Sequence, residues 1–256
     1  MKLTRAESIK LIAATALGAY YSPSAKAAPA RLRLIVLDVG GTVIQDHGDV
    51  PEALQSAFAK RGITVSPDEI AKWRGASKRE VVRHFASERS NTTGAKLDAI
   101  CDAIYQDFTA QAVEAYRNVP PIAGAEDAFQ RLSSAGFLLA SSTGFGREIC
   151  ASIFQRLKWE KYFAAMITSD DVAQGRPSPY MIFHALEAAR VGNVAEVMAV
   201  GDTPLDLQAG TNAGVRAVVG VLSGVGKKPQ LEREPHTDIL ESVAELPALI
   251  ASKYSA

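Results

Sequence analysis

Four short stretches of this 256-residue chain set chemically capable residues directly after, or between, apolar runs. LIVL at 34–37 leads into Asp38 and then Gly40-Gly41. FLLAS at 137–141 leads into Ser142-Thr143-Gly144. EVMAV at 196–200 leads into GDTPLD, which carries Asp202 and Asp206, and GRPSP before it carries Arg176. Two or three carboxylates, a hydroxyl and a guanidinium around a phosphate-sized volume suit one chemistry. A carboxylate such as Asp38 can attack phosphorus and form an aspartyl-phosphate. Mg²⁺ held by hard oxygens of Asp38, Asp202 and a backbone carbonyl would offset the repulsion between that carboxylate and an anionic substrate. Arg176 and the Thr143 hydroxyl would hold the remaining phosphoryl oxygens and stabilise developing charge.

Those residues can meet only if their apolar runs lie side by side. A continuous run such as LIVL is the pattern of a strand buried on both faces of a parallel sheet. Candidate strands lie at 33–38, 137–142, 164–168, 196–200 and 215–221, with a short edge strand at 237–240. Helical patterns fall between them at 124–135, 146–157, 179–190, 204–213 and 242–252. This alternation predicts an α/β fold, a Rossmann-like doubly wound parallel sheet with helices on both faces. Such a sheet gathers its strand ends at one edge, where ligands bind.

Residues 48–120 break the alternation, with helical periodicity at 51–61, 67–74, 78–88 and 95–117 and no convincing strand. We expect an all-helical cap domain over 48–120 on a core domain of 28–47 and 121–256. Linkers near 45–50 and 117–123 would then act as a hinge that lets the cap close over Asp38. A fixed helical layer is the alternative.

Composition narrows the partners. Twenty-eight basic residues balance 28 acidic ones, which gives no electrostatic case for nucleic acid or an anionic membrane surface. Cys101 and Cys150 are too few for a disulfide framework and have no zinc-ligand spacing. At the N-terminus Lys2, Arg5 and Lys10 precede the apolar run LIAATALGAYY, and Ala25-Lys26-Ala27 offers a cleavage site. We read 1–27 as a signal peptide for export to the periplasm or outside, leaving no stable membrane span after its removal. An irregular N-terminal helix on a cytoplasmic protein is the alternative.

Taken together, DVGGTV, the SSTG strand end, the arginine of GRPSP and GDTPLD resemble the haloacid dehalogenase superfamily of hydrolases over roughly residues 33–250. The resemblance implies that Asp38 is the nucleophile, Thr143 the phosphate-binding hydroxyl and Arg176 the charge stabiliser. It implies Mg²⁺ on Asp38, Gly40, Asp202 and Asp206, with Thr42 and Gly144 binding substrate. The helical insert is similar to that superfamily's small cap, and a homodimer through cap helices is compatible with the family.

Gly40 departs from the superfamily's D-x-D pattern, in which a second aspartate protonates the leaving oxygen. A general acid is typically worth about 10²–10⁴-fold, so an ordinary phosphomonoesterase would be handicapped without it. The phosphonoacetaldehyde hydrolase (phosphonatase) branch lacks that acid because its leaving atom is carbon, and it uses arginine where Arg176 stands. The branch also carries a cap lysine that forms a Schiff base with the substrate aldehyde. Gly75-Ala76-Ser77-Lys78 matches its G-x-x-K context, which makes Lys78 both a catalytic and a substrate-binding candidate. A solvated helix lysine is the competing reading. Arg74, Val81 and Phe145 stand where the branch prefers methionine, histidine and an aromatic hydroxyl. The implied partner is a small phosphonate such as phosphonoacetaldehyde or a close analogue. The alternatives are a phosphatase for small esters with good leaving groups and a non-catalytic phosphate-binding protein.

Overall fold

The computed structural model describes residues 31–254. Residues 1–27, expected to form a signal peptide, and the first residues expected of the core, 28–30, lie outside that range. Six strands form a single parallel sheet: β1 (Leu34–Leu37), β2 (Leu138–Thr143), β3 (Phe163–Thr168), β4 (Val197–Gly201), β5 (Ala217–Val221) and β6 (Asp238–Leu240). Their order is β3-β2-β1-β4-β5-β6, so β1 sits in the middle with Leu34 beside both Leu138 and Val197. The chain winds outward through β2 and β3, then returns to β4 and winds the other way. The carboxyl ends of β1 and β4 therefore flank the point where the winding reverses, where an open α/β sheet leaves a crevice.

The central strand shows why this arrangement holds. All four of its residues are buried, and they alternate between two cores. Ile35 and Leu37 join the larger core with Phe129, Ile149 and Phe154, whereas Leu34 and Val36 join a smaller one with Met181, Ile182 and Ala185. A period of two along the strand thus feeds two helical layers. Phe154, Phe163 and Trp159 meet edge-on beneath the larger layer.

Four helices directly follow β1, before the sheet-packing helix that leads into β2: α1 (Asp49–Ala59), α2 (Pro67–Ala71), α3 (Lys78–Arg89) and α4 (Gly94–Ala115). Ser66 closes a capping box at the start of α2, and Ser77 caps α3. The long α4 packs against α1, against α3 and against the core helix α6 (Arg147–Leu157). The other sheet-packing helices are α5 (Ala125–Ser134), α7 (Tyr180–Ala188), α8 (Pro204–Ala213) and α10 (Leu246–Lys253). A one-turn helix, α9 (Lys228–Leu231), is anchored by the buried Leu231. The last helix starts later than its periodicity suggested, because a 3-10 turn occupies 243–245. Among the described residues no helix is long and apolar enough to cross a membrane.

Candidate active site

Asp38 leaves the end of β1 with its N–H bonded to the Val200 carbonyl at 2.9 Å, which sets it beside the end of β4. Its carboxylate is 5% exposed. The guanidinium of Arg176, also buried, ties the strand ends together. Nη1 donates to Asp38 Oδ1 at 2.8 Å and lies 2.5 Å from Asp206 Oδ1. Nη2 donates to the carbonyl and hydroxyl oxygens of Ser142 at 2.5 and 2.9 Å. One planar, multi-donor cation therefore grips the ends of β1 and β2 and the start of α8 at once.

Asp202 ends β4 and is fully buried. Its Oδ2 accepts the Val225 N–H at 2.8 Å, and its Oδ1 accepts the Thr42 hydroxyl at 3.3 Å. Asp206 closes the capping box of α8, its Oδ2 accepting the Thr203 N–H and hydroxyl at 2.9 and 2.6 Å. One oxygen from each of Asp38, Asp202 and Asp206 lies within 4.8 Å of the others. Arg176 pairs with Asp38 and Asp206 but not with Asp202, so the three buried carboxylates leave negative charge uncompensated, and hard oxygen donors at that spacing suit a divalent cation. Asp202 carries much of this strain: burial, then Asp38 and Asp206, push it well above the carboxylate range. Burial likewise raises Asp38, to about 6, against the pull of Arg176.

Thr143, Gly144 and Lys78 line the same cavity as Asp38, Gly40, Arg176 and Asp202. The Thr143 oxygen accepts the Phe145 N–H at 3.2 Å, which leaves its own proton for a ligand. Thr42, expected to bind substrate, is instead fully buried and turned onto Asp202. Lys78 is not the solvated helix lysine that its surroundings in KREVVRHF allow: it is 6% exposed. It opens α3, its N–H donates to the Gly144 carbonyl at 3.2 Å, and its Nζ donates to the Ala76 carbonyl at 2.7 Å. Burial lowers its pKa to about 8, although Asp38 pulls the other way. A cation at a helix N-terminus also opposes the helix dipole. The amine is therefore neutral in part of the population near neutral pH.

The position that usually holds the second acid is crowded. A Cβ built on Gly40 would stand 3.3 Å from Cζ of Phe145. Tyr116 packs edge-on against that ring at 5.0 Å between centroids, so the ring has little freedom to yield.

The helical insert is seated directly on these strand ends. Three consecutive residues of α3 each reach a different core loop. Lys78 contacts Gly144, Arg79 Nε donates to Asp170 Oδ1 at 2.7 Å, and Glu80 Oε1 accepts the Gly175 N–H at 2.6 Å. Asp170 bridges Arg79 and the backbone N–H of Arg147, the first residue of α6. Gly75 approaches so closely, with φ +84°, that a Cβ there would fall 2.4 Å from Thr203 Oγ1. Sequence reasoning missed these contacts, and it also missed Asp46, Trp73 and Arg74 as cavity walls. A helix periodicity does not say which loop a helix end will meet. The cavity measures about 60 Å³.

The chain is similar to known proteins over most of its length. Residues 35–220 match the family described as haloacid dehalogenase-like hydrolase. The phosphoglycolate phosphatase of Agrobacterium fabrum is 29% identical over 218 residues, spanning 84% of this chain and 91% of its own. The phosphonoacetaldehyde hydrolase of Bacillus cytotoxicus is 25% identical over 234 residues, spanning 88% of each. The crystal structure of a phosphonoacetaldehyde hydrolase-like protein from Oleispira antarctica matches with a TM-score of 0.74 at 22% identity, over 91% of this chain and 96% of that one. That last likeness is one of fold.

Proposed function

This chain belongs to the haloacid dehalogenase-like hydrolases, and we propose that within that family it cleaves the carbon–phosphorus bond of a small phosphonate through an aspartyl-phosphate on Asp38. Lys78 first condenses with the substrate carbonyl, releasing water and forming an imine. The Asp38 carboxylate then attacks phosphorus, and the carbon leaves with the electron pair as an enamine. Water hydrolyses the aspartyl-phosphate to phosphate and free Asp38, and a second water releases the carbonyl product from Lys78. Arg176 and Thr143 hold the phosphoryl oxygens, with Gly144 beside them. Asp38, Asp202 and the Gly40 carbonyl would hold Mg²⁺, with Asp206 close behind, and the bound ion neutralises phosphoryl charge that a carboxylate nucleophile otherwise repels. Thr42 acts on substrate only by steadying Asp202.

The observation that carries this reading is the buried, partly neutral amine of Lys78 in the cavity of Asp38. An amine nucleophile needs its neutral form, and desolvation supplies it. Phe145 in the space beside Gly40 agrees, because a carbon leaving as an enamine needs no acid there. Borohydride reduction in the presence of phosphonoacetaldehyde tests the proposal. A reduced adduct on Lys78, with phosphate release abolished in Lys78→Arg and Asp38→Asn, is the expected result. Phosphate released from esters alone, retained in Lys78→Arg and lost in Asp38→Asn, would overturn it. That outcome would support the second reading, a small-ester phosphatase, which the 29% identity to a phosphoglycolate phosphatase favours.

A further inference from the structure

The cavity carries one cation that neither reading uses. Arg74 lines it from the turn between α2 and α3. The cavity's other cations are engaged: Arg176 grips Asp38 and Asp206, and Lys78 donates to the Ala76 carbonyl. The Arg74 guanidinium makes no hydrogen bond or ion pair among the described residues. Asp46, another acid lining the cavity, accepts the Gly48 N–H at 2.8 Å and makes no ion pair with Arg74. The surrounding wall is apolar, formed by Val50, Leu54, Ile70, Trp73 and Val81. An unpaired guanidinium in a cavity with apolar walls is a ready partner for an anion on the part of the substrate that the phosphoryl-binding residues do not hold. Its planar fork fits a carboxylate in particular.

We infer that Arg74 is a specificity-determining residue, and that the natural substrate carries a carboxylate on the fragment released from phosphorus. The inference rests on the active-site reading above, but not on whether carbon or oxygen leaves. With a carbonyl for Lys78 and a carboxylate for Arg74, the C–P reading narrows from a simple phosphono-aldehyde to a phosphono-2-oxo acid. The ester reading narrows to a phosphorylated hydroxy acid.

Binding of two inert ligands isolates this role from turnover. Phosphonoacetate carries a carboxylate on a two-carbon phosphonate, and ethylphosphonate is its uncharged counterpart. Titration calorimetry with Mg²⁺ on wild type should give phosphonoacetate about tenfold tighter binding, the scale of one charge-assisted contact at a partly exposed site. Arg74→Met should bring the two affinities within about twofold, and Arg74→Lys should keep part of the difference. Arg74 is exposed, so these variants do not threaten the fold. Equal affinities in wild type, failure of wild type to bind phosphonoacetate, or a preference that survives Arg74→Met would each overturn the inference. A carboxylate preference without a Lys78 adduct would sink the C–P reading alone. An adduct without the preference would sink only the role of Arg74.

Discussion

Glu80 accepts the backbone N–H of Gly175 at 2.6 Å, and the residue after Gly175 is the arginine that grips the proposed nucleophile. A carboxylate of the helical insert thus holds the loop that carries Arg176, and α3 presents Lys78 two residues earlier. Through this contact, seating the insert and placing the charge stabiliser become one event.

Loss of that contact should appear in kcat more than in KM. Glu80→Ala should lower kcat by roughly 10- to 100-fold by letting Arg176 drift, while Glu80→Gln, which can still accept the N–H, should recover much of the loss. Steady-state kinetics on both variants checks this. Equal defects in the two would mean that the charge of Glu80, and not its hold on Gly175, matters.

Restoring the missing acid should fail unless room is made for it. Gly40→Asp pushes a Cβ to 3.3 Å from Phe145, so the single variant should lose thermal stability without gaining turnover of alkyl phosphates. Combined with Phe145→Ala, it should raise that turnover toward the roughly 10²-fold expected at the low end for a general acid. Phosphate release from ethyl phosphate reads the difference.

Lys78 should cost the fold stability at neutral pH. Its pKa falls from 10.5 to about 8 on folding, so the folded state disfavours the charged form. Stability is therefore lost as pH drops from 10.5 toward 8 and is level below that. Lys78→Met should stabilise the protein by about 3 kcal/mol at pH 7 and by under about 1 kcal/mol at pH 10. Denaturant unfolding at both pH values checks the sign, and a difference independent of pH would indicate packing alone.

The three carboxylates predict opposite effects of one substitution with and without metal. Asp202 is buried beside Asp38 and Asp206, and its charge is repelled by both. In chelator, Asp202→Asn should raise Tm by about 2–4 °C by removing that repulsion. Added Mg²⁺ should raise the Tm of wild type but not of the variant, and chelation should abolish wild-type turnover. Thermal melts with and without Mg²⁺ read both effects.

How much of this was legible beforehand follows from the range of each interaction. The LIVL run, the turn glycines and the alternation of apolar strands with helical periodicity are local patterns, and local patterns determined the strands, the parallel sheet and the strand ends that bear Asp38, Thr143 and Asp202. The order of the motifs was enough to bring those residues to one edge, because a doubly wound sheet has only one carboxyl edge. Contacts across large sequence separation were decided by the tertiary structure alone. Lys78 looks like a surface residue within its own helix, and it is buried only because α3 lands on the loops at Gly144, Asp170 and Gly175. Thr42 serves Asp202 instead of the cavity because the turn after β1 folds toward β4. Phe145 fills the space beside Gly40 because Tyr116, far along the chain, braces its ring. Helix and strand periods set which side of an element is apolar, but the partner that covers it, and hence whether an amine is wet or dry, depends on how separate elements pack.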